Sequence, residues 1–165
     1  MGISRQSERF LMKHFGRSWM SADSVIAFLP IKPVYANRIL DGSKKYEFRR
    51  TRLRQDITHV VIYSTSPVRK IVGIAEVGGV TAASVSAAWR QTRQDAGISR
   101  SDFDAYYSGA QSAIFISLRR VVRLKKELDP IEVRSGFKVP QSFSYVDESF
   151  IKRVLFSGVS NVRGV

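Results

Sequence analysis

Lys44, Glu47 and Arg49 fall within six residues of one another, in the run Gly42-Ser-Lys-Lys-Tyr-Glu-Phe-Arg49. A lysine beside a carboxylate can act as a general base or nucleophile once burial lowers its pKa. The same side chains suit binding. Lys32, Lys44, Arg49 and Arg50 offer cations to phosphate, and arginine adds a planar bidentate geometry that lysine lacks. Glu47 can accept hydrogen bonds from a base amino group or position a cation. Tyr46 and Trp89 are flat surfaces on which an unpaired base can stack. Ser64, a small polar residue closing an apolar run, completes the candidate binding set. By spacing alone, the favoured reading of Glu47 and Arg49 is an intrastrand ion pair that holds the turn.

The elements around these residues are legible. Pro33 suits a first helical position, where its missing N–H costs nothing. Tyr35 with Ile39, and Ala36 with Leu40, form an apolar stripe at i, i+4 spacing. Asp41-Gly42 stops that helix, because glycine enters the left-handed conformation without a Cβ penalty. The next run alternates, with Tyr46 and Phe48 on one strand face and Glu47 and Arg49 on the other. Six cations (Lys44, Lys45, Arg49, Arg50, Arg52 and Arg54) occupy eleven residues here. Such a density can neutralise a phosphate backbone by counterion release; an exposed charged loop would read the same.

Gly42-Ser-Lys44-Lys-Tyr-Glu47-Phe-Arg49 resembles the Gly-x-Lys-x-x-Glu-x-Arg signature of the ASCH domain, a branch of the PUA-like superfamily. Val61-Ile-Tyr-Ser-Thr-Ser-Pro-Val68, Ile71-Val-Gly73, the Trp89 helix, Gly97-Ile-Ser-x-x-x-Phe103 and Pro140-Gln-Ser-Phe143 continue the likeness, in the version found in proteins labelled transcriptional regulators. It covers roughly residues 25–147. The resemblance implies a small PUA-like barrel with a ligand cleft beside the signature, and an RNA- or nucleotide-binding, regulatory role. Some members hydrolyse the acetamide of an N4-acetylcytidine nucleoside with a lysine, a threonine three positions on, and a distal glutamate. Lys44 matches the lysine, but Glu47 stands where the threonine would be. Ala96, beside Asp95, falls about where the glutamate belongs. A carboxylate cannot replace a hydroxyl nucleophile without a change of mechanism. Ribonuclease activity is also attributed to some members, and Lys44 with Glu47 would then act on a 2′-OH. Either hydrolase is the alternative to a binding module; an adaptor for a protein partner is a third expectation.

Elsewhere the chain alternates short strands and helices. Strands are expected at Val25–Leu29, Val60–Tyr63, Ile71–Val77 and Ala113–Leu118, the last extended through Val121–Leu124, with a bulge or bend at Gly78-Gly79. A helix capped by Thr81 carries Val85, Ala88 and Trp89, and a second opens at Ser99. Phe103, Tyr106 and Tyr107 read as core. Residues 127–146 read as loop with at most a short strand, and 147–156 as a last helix before a mobile tail from Ser157. Strands with inserted helices, rather than strict βαβ alternation, predict an α+β fold built on a small, mostly antiparallel barrel. The expected organisation is a helical extension over 1–24, with Phe10, Leu11, His14 and Phe15 on its apolar stripe, a domain over 25–147, and a helix and tail over 148–165.

Composition narrows the partners. Lys and Arg total 27 against 14 acidic residues in a chain of 165, a formal charge of +13. This favours polyanions, either nucleic acid or an anionic membrane face. There is no cysteine and there are two histidines, which excludes disulfides and thiolate metal sites and makes zinc improbable. No phosphate-cradling glycine loop is present, so neither a cofactor nor a metal is expected. No apolar run approaches the roughly 20 residues of a membrane helix, and the charged N-terminus is wrong for a signal peptide. The expectation is a soluble cytoplasmic protein whose partner is RNA or a nucleotide, single-stranded or modified.

Overall fold

A computed structural model of the chain describes residues 23–159 and, before them, residues 5, 6, 9, 12, 13 and 21. The stripe expected at Phe10, Leu11, His14 and Phe15 lies outside the described residues, as does the chain beyond residue 159. The elements are β1 (Ile26–Ile31), α1 (Pro33–Asp41), β2 (Tyr46–Arg49), β3 (His59–Ser64), β4 (Lys70–Ser84), α2 (Val85–Thr92), α3 (Arg100–Tyr106), β5 (Ser112–Leu128), α4 (Pro130–Val133), β6 (Ser144–Val146) and α5 (Glu148–Val159). Among the described residues no helix is long and apolar enough to cross a membrane.

All six strands form one sheet in the order β2-β5-β4-β3-β1-β6. Among the described residues only the β1–β3 pair is parallel; the others are antiparallel. The α+β expectation holds. Among the described residues the sheet is not closed into a barrel: β2 and β6 are the two edges of a linear order. What crosses that seam is a side chain, Arg49 of β2. It donates to the carbonyl of Pro30 in β1 at 2.9 Å and to that of Ser142, just before β6, at 3.0 Å.

Alternation along the strands sorts the core into layers. Ala27, Leu29 and Ile31 of β1 share an inner core with Val60, Ile62, Val72, Ala75, Ile114 and Ile116, which α1 caps with Ala36 and Ile39. The opposite faces of β1, β3 and β4 carry Ile26, Phe28, Val61, Tyr63 and Ile74 into an outer core covered by Phe150, Ile151, Val154 and Leu155 of α5. Strand β3 is thus buried on both sides, as its β-branched run predicts. A third, aromatic core joins Phe48 and Phe115 to Phe103, Tyr107 and Ala88 of the inserted helices.

Three boundaries differ from expectation. Thr81 does not open a helix: Val80–Ser84 stay extended against Ile116–Ser112. Ser84 is the cap, its hydroxyl accepting from the Ala87 N–H at 3.2 Å. Cross-strand pairing here outweighs the local capping signal. The expected loop contains one helical turn, Pro130–Val133, capped by Asp129. Ser157–Val159 continue α5 rather than beginning a tail, and Gly158 lets it settle on Leu124, where a Cβ would sit 2.9 Å from both methyl carbons. The bend at Gly78-Gly79 is present as a register shift against β5.

Candidate functional site

The site begins where α1 ends. Gly42 adopts φ 87° and its N–H returns to the Ile39 carbonyl, the αL termination that lets the chain reverse. The Lys44 N–H donates to the Arg38 carbonyl and the Lys45 N–H to that of Asp95, while Lys45 accepts from the Leu118 N–H. The signature turn is therefore held on three sides before β2 starts.

In an antiparallel ladder directly opposed residues share a face. Glu47 opposes Ile116 and Arg49 opposes Ile114, so both charged side chains lie on the face that carries the inner core. They form an ion pair, Nε to Oε1 at 3.3 Å, with neither side chain more than 10% exposed. Tyr46 and Phe48 face the other way, into the aromatic core: Tyr46 meets Phe115 edge-on at 5.8 Å and Phe48 meets Phe103 at 5.1 Å.

Lys44 is 3% exposed. Its Nζ donates to the Ala96 carbonyl at 2.8 Å and lies 4.5 Å from the Phe48 ring centroid and 5.3 Å from that of Tyr35. Burial lowers its pKa to about 8; the Glu47 carboxylate opposes that shift and Arg38 adds to it. Burial is also the main cause of the raised pKa of Tyr35. Arg38 completes this corner by donating to the Gly97 carbonyl at 2.8 Å.

The structure pairs Glu47 with Arg49 and places Lys44 near enough for the Glu47 carboxylate to act on its pKa, and Arg49 connects the pair to the far end of β1. Lys32 follows that strand, exposed at the start of α1, and Ile31 pairs with Ser64. Ser64 is 1% exposed, and its hydroxyl has no hydrogen-bond partner. Arg50 is exposed, one nitrogen 3.5 Å from the Ser108 carbonyl. Trp89 stands apart, half-buried against Phe103 at 4.9 Å and beneath the Arg100 guanidinium at 5.3 Å. Sequence reasoning missed the backbone acceptors of Pro30, Ala96 and Ser142, which carry no side-chain signal. Gly97, quoted from the sequence as part of the family likeness, has φ 63° and packs its backbone against Lys44. Among the described residues no cluster of His, Asp or Glu could hold a metal ion.

Three polar groups at this site are incompletely satisfied. The Lys44 ammonium has three hydrogens and makes one hydrogen bond. Neither Arg49 Nε nor Ser64 Oγ makes one, although both are buried. Buried polar groups are ordinarily paired, and Arg49 Nε has the Glu47 carboxylate 3.3 Å away as its counter-charge.

Comparison with known proteins bears on the same stretch. The ASCH domain family model matches residues 29–127. An "ASCH domain-containing ribonuclease" of Zymomonas mobilis is 28% identical over 123 residues, 73% of this chain and 83% of that protein. A crystal structure of ASCH from Zymomonas mobilis superposes with a TM-score of 0.72 at 25% identity, covering 79% of this chain and 93% of that one. A large ribosomal subunit protein uL22 of Ureaplasma parvum is 28% identical over 106 residues, 64% of this chain but only 34% of that protein.

Proposed function

This chain belongs to the ASCH domain family, and from that premise we propose that it binds RNA, single-stranded or carrying a modified base, where Lys44, Glu47 and Arg49 converge. The supporting observation is the buried Glu47–Arg49 ion pair next to the buried Lys44 ammonium, which makes a single hydrogen bond, set in a chain of formal charge +13. Lys44 and Arg49 supply cations and Glu47 an acceptor for a base amino group. Lys32, Arg50 and Ser64 are assigned to the rim. Tyr46 and Trp89 are committed to the aromatic core and are left out of the contact set.

A second function, RNA cleavage, is favoured by one specific feature. A lysine with a pKa of about 8 is partly a free amine near neutral pH, and can take the proton of a 2′-OH. The relative named a ribonuclease supports this alternative. Amide hydrolysis on N4-acetylcytidine is less favoured, since Glu47 replaces the hydroxyl it requires.

Residues 25–147 form the binding unit, a PUA-like barrel whose seam is closed by Arg49 rather than by a ladder. Residues 1–24 and 148–165 are its extensions, and the setting is cytoplasmic and regulatory. Fluorescence anisotropy with short single-stranded RNA and with duplex DNA, at two salt concentrations, tests binding. A salt-dependent preference for RNA is expected, and no binding at low salt refutes it. Incubation with RNA and with N4-acetylcytidine, comparing wild type with Lys44→Ala, decides whether turnover accompanies binding.

A further inference from the structure

The second basic cluster of the chain is not used by the site. Tyr46 opposite Ser117 is the last pair between β2 and β5, and beyond it, among the described residues, β5 continues beside β4 alone as far as Leu128. Along this open edge Arg119, Arg120, Arg123, Lys125 and Lys126 are all exposed. Val121 packs on the inner core, and Val122 and Leu124 on the outer one. The cations therefore extend from an anchored backbone. Arg120 pairs with Glu76 at 3.4 Å, and Arg123 is one of the charges acting on Asp41, after that carboxylate's hydrogen bonds from Ser43. Among the described residues Arg119, Lys125 and Lys126 have no ion-pair partner.

This edge begins at the signature turn. The Leu118 N–H donates to the Lys45 carbonyl at 2.9 Å, so the backbone of the first basic cluster, whose Lys45 ammonium pairs with Asp95 at 3.7 Å, meets β5 one residue before Arg119. Cations on an open edge also discourage pairing between copies, but a guard of that kind needs one lysine, not five cations.

We infer that β5 from Arg119 to Lys126 is a phosphate-tracking edge, along which the single strand held at the Lys44 site continues. The inference rests on the RNA-binding function proposed above. At about 3.4 Å per residue, shortened by the bulges, the edge is roughly 20 Å long and spans several phosphates. Its contacts are to the backbone, so it adds affinity and salt dependence without base preference.

The test uses the full chain and two variants of equal charge. Arg119→Gln/Lys125→Gln/Lys126→Gln removes three edge cations, and Arg90→Gln/Arg93→Gln/Lys138→Gln removes three exposed cations elsewhere. Binding is measured for a trinucleotide and for a single strand of about 20 nucleotides, across a salt series. The edge variant should bind the long strand at least about tenfold more weakly, with a salt slope lower by about 2, at 0.7 per lost phosphate contact. Its trinucleotide affinity should be unchanged, and the control should match wild type. Lys126→Gln alone should lower the slope by about 0.7, which covers any folding defect in the triple variant. Equal losses in edge variant and control would reduce the effect to net charge and overturn the inference. So would unchanged RNA binding accompanied by self-association, the mark of a mere edge guard. Tight binding of the trinucleotide with no gain for the longer strand would refute the edge alone. A wild type that binds neither RNA would refute the underlying function and the edge with it.

Discussion

Gly97 stands against Lys44 with no room for a side chain between them. A Cβ on Gly97 would overlap the Lys44 Cβ and lie 2.8 Å from its Cα, and Gly97 has φ +63°. The Gly97→Ala change should therefore combine a left-handed backbone penalty with a steric one, about 3 kcal/mol in all. Gly109 isolates the backbone part, since it has φ +76° and nothing within 4 Å; Gly109→Ala should cost about 1 kcal/mol. Urea midpoints compare the two. RNA affinity, measured where both variants are folded, should fall only for Gly97→Ala, because only that change displaces Lys44.

Lys44 should also make stability depend on pH. Its pKa in the folded protein is lowered from 10.5 to about 8, mainly by burial. Between those values the unfolded chain binds more protons than the folded one, so stability rises as pH rises through this window. Below pH 8 the buried ammonium is a standing cost of about 3 kcal/mol, by order of magnitude. Lys44→Met should abolish the rise from pH 8 to 10.5 in denaturant titrations. RNA binding that requires the ammonium should weaken over pH 7 to 9, whereas cleavage by the free amine should increase. A flat stability profile for wild type across the window would contradict the buried assignment.

How much of this was legible in the sequence follows from where the information resides. Side-chain periodicity placed β3, α1 and the two faces of β2, because alternation is a local property. The turn at Gly42 was readable because only glycine takes φ 87° there without strain. The partners of Arg49 were not. Pro30 and Ser142 contribute carbonyls, and which carbonyl meets a guanidinium is decided by sheet curvature rather than by residue type. Thr81 misled for a related reason: its hydroxyl is a good cap in isolation, but its backbone is paired with Phe115. Burial of Lys44 was equally hidden, since a lysine in a turn reads as solvated until the Ala96–Gly97 segment packs over it.

Arg49 should prove a stabilising residue as much as a binding one. Its terminal nitrogens join β1 and the segment before β6 to β2, and it neutralises Glu47. Arg49→Ala strands a buried carboxylate and opens the seam, at about 3–5 kcal/mol. Arg49→Lys should recover only part of that, because an ammonium cannot span both carbonyls in planar fork geometry. Glu47→Leu combined with Arg49→Met should cost less than the sum of the single changes. Thermal or urea unfolding of wild type, Glu47→Leu, Arg49→Met and the double variant gives the coupling, and strict additivity would show that the pair does not act as a unit.

Trp89 separates core from contact. Its ring packs on Phe103 and carries Arg100 on its other contact surface, on the side of Phe48 away from the Glu47–Arg49 pair. Trp89→Ala should lower stability by about 3 kcal/mol, the usual cost of removing a large packed aromatic, and leave RNA affinity at a temperature of full folding within twofold of wild type. A stacking residue would show the reverse, since each stacked base contributes about 1–3 kcal/mol to binding. Fluorescence checks this independently: the chain has two tryptophans, so a Trp19→Phe background leaves Trp89 as the reporter. Titration with single-stranded RNA should leave its emission unquenched; quenching that tracks occupancy would move Trp89 into the binding surface and place the base on the aromatic side of β2.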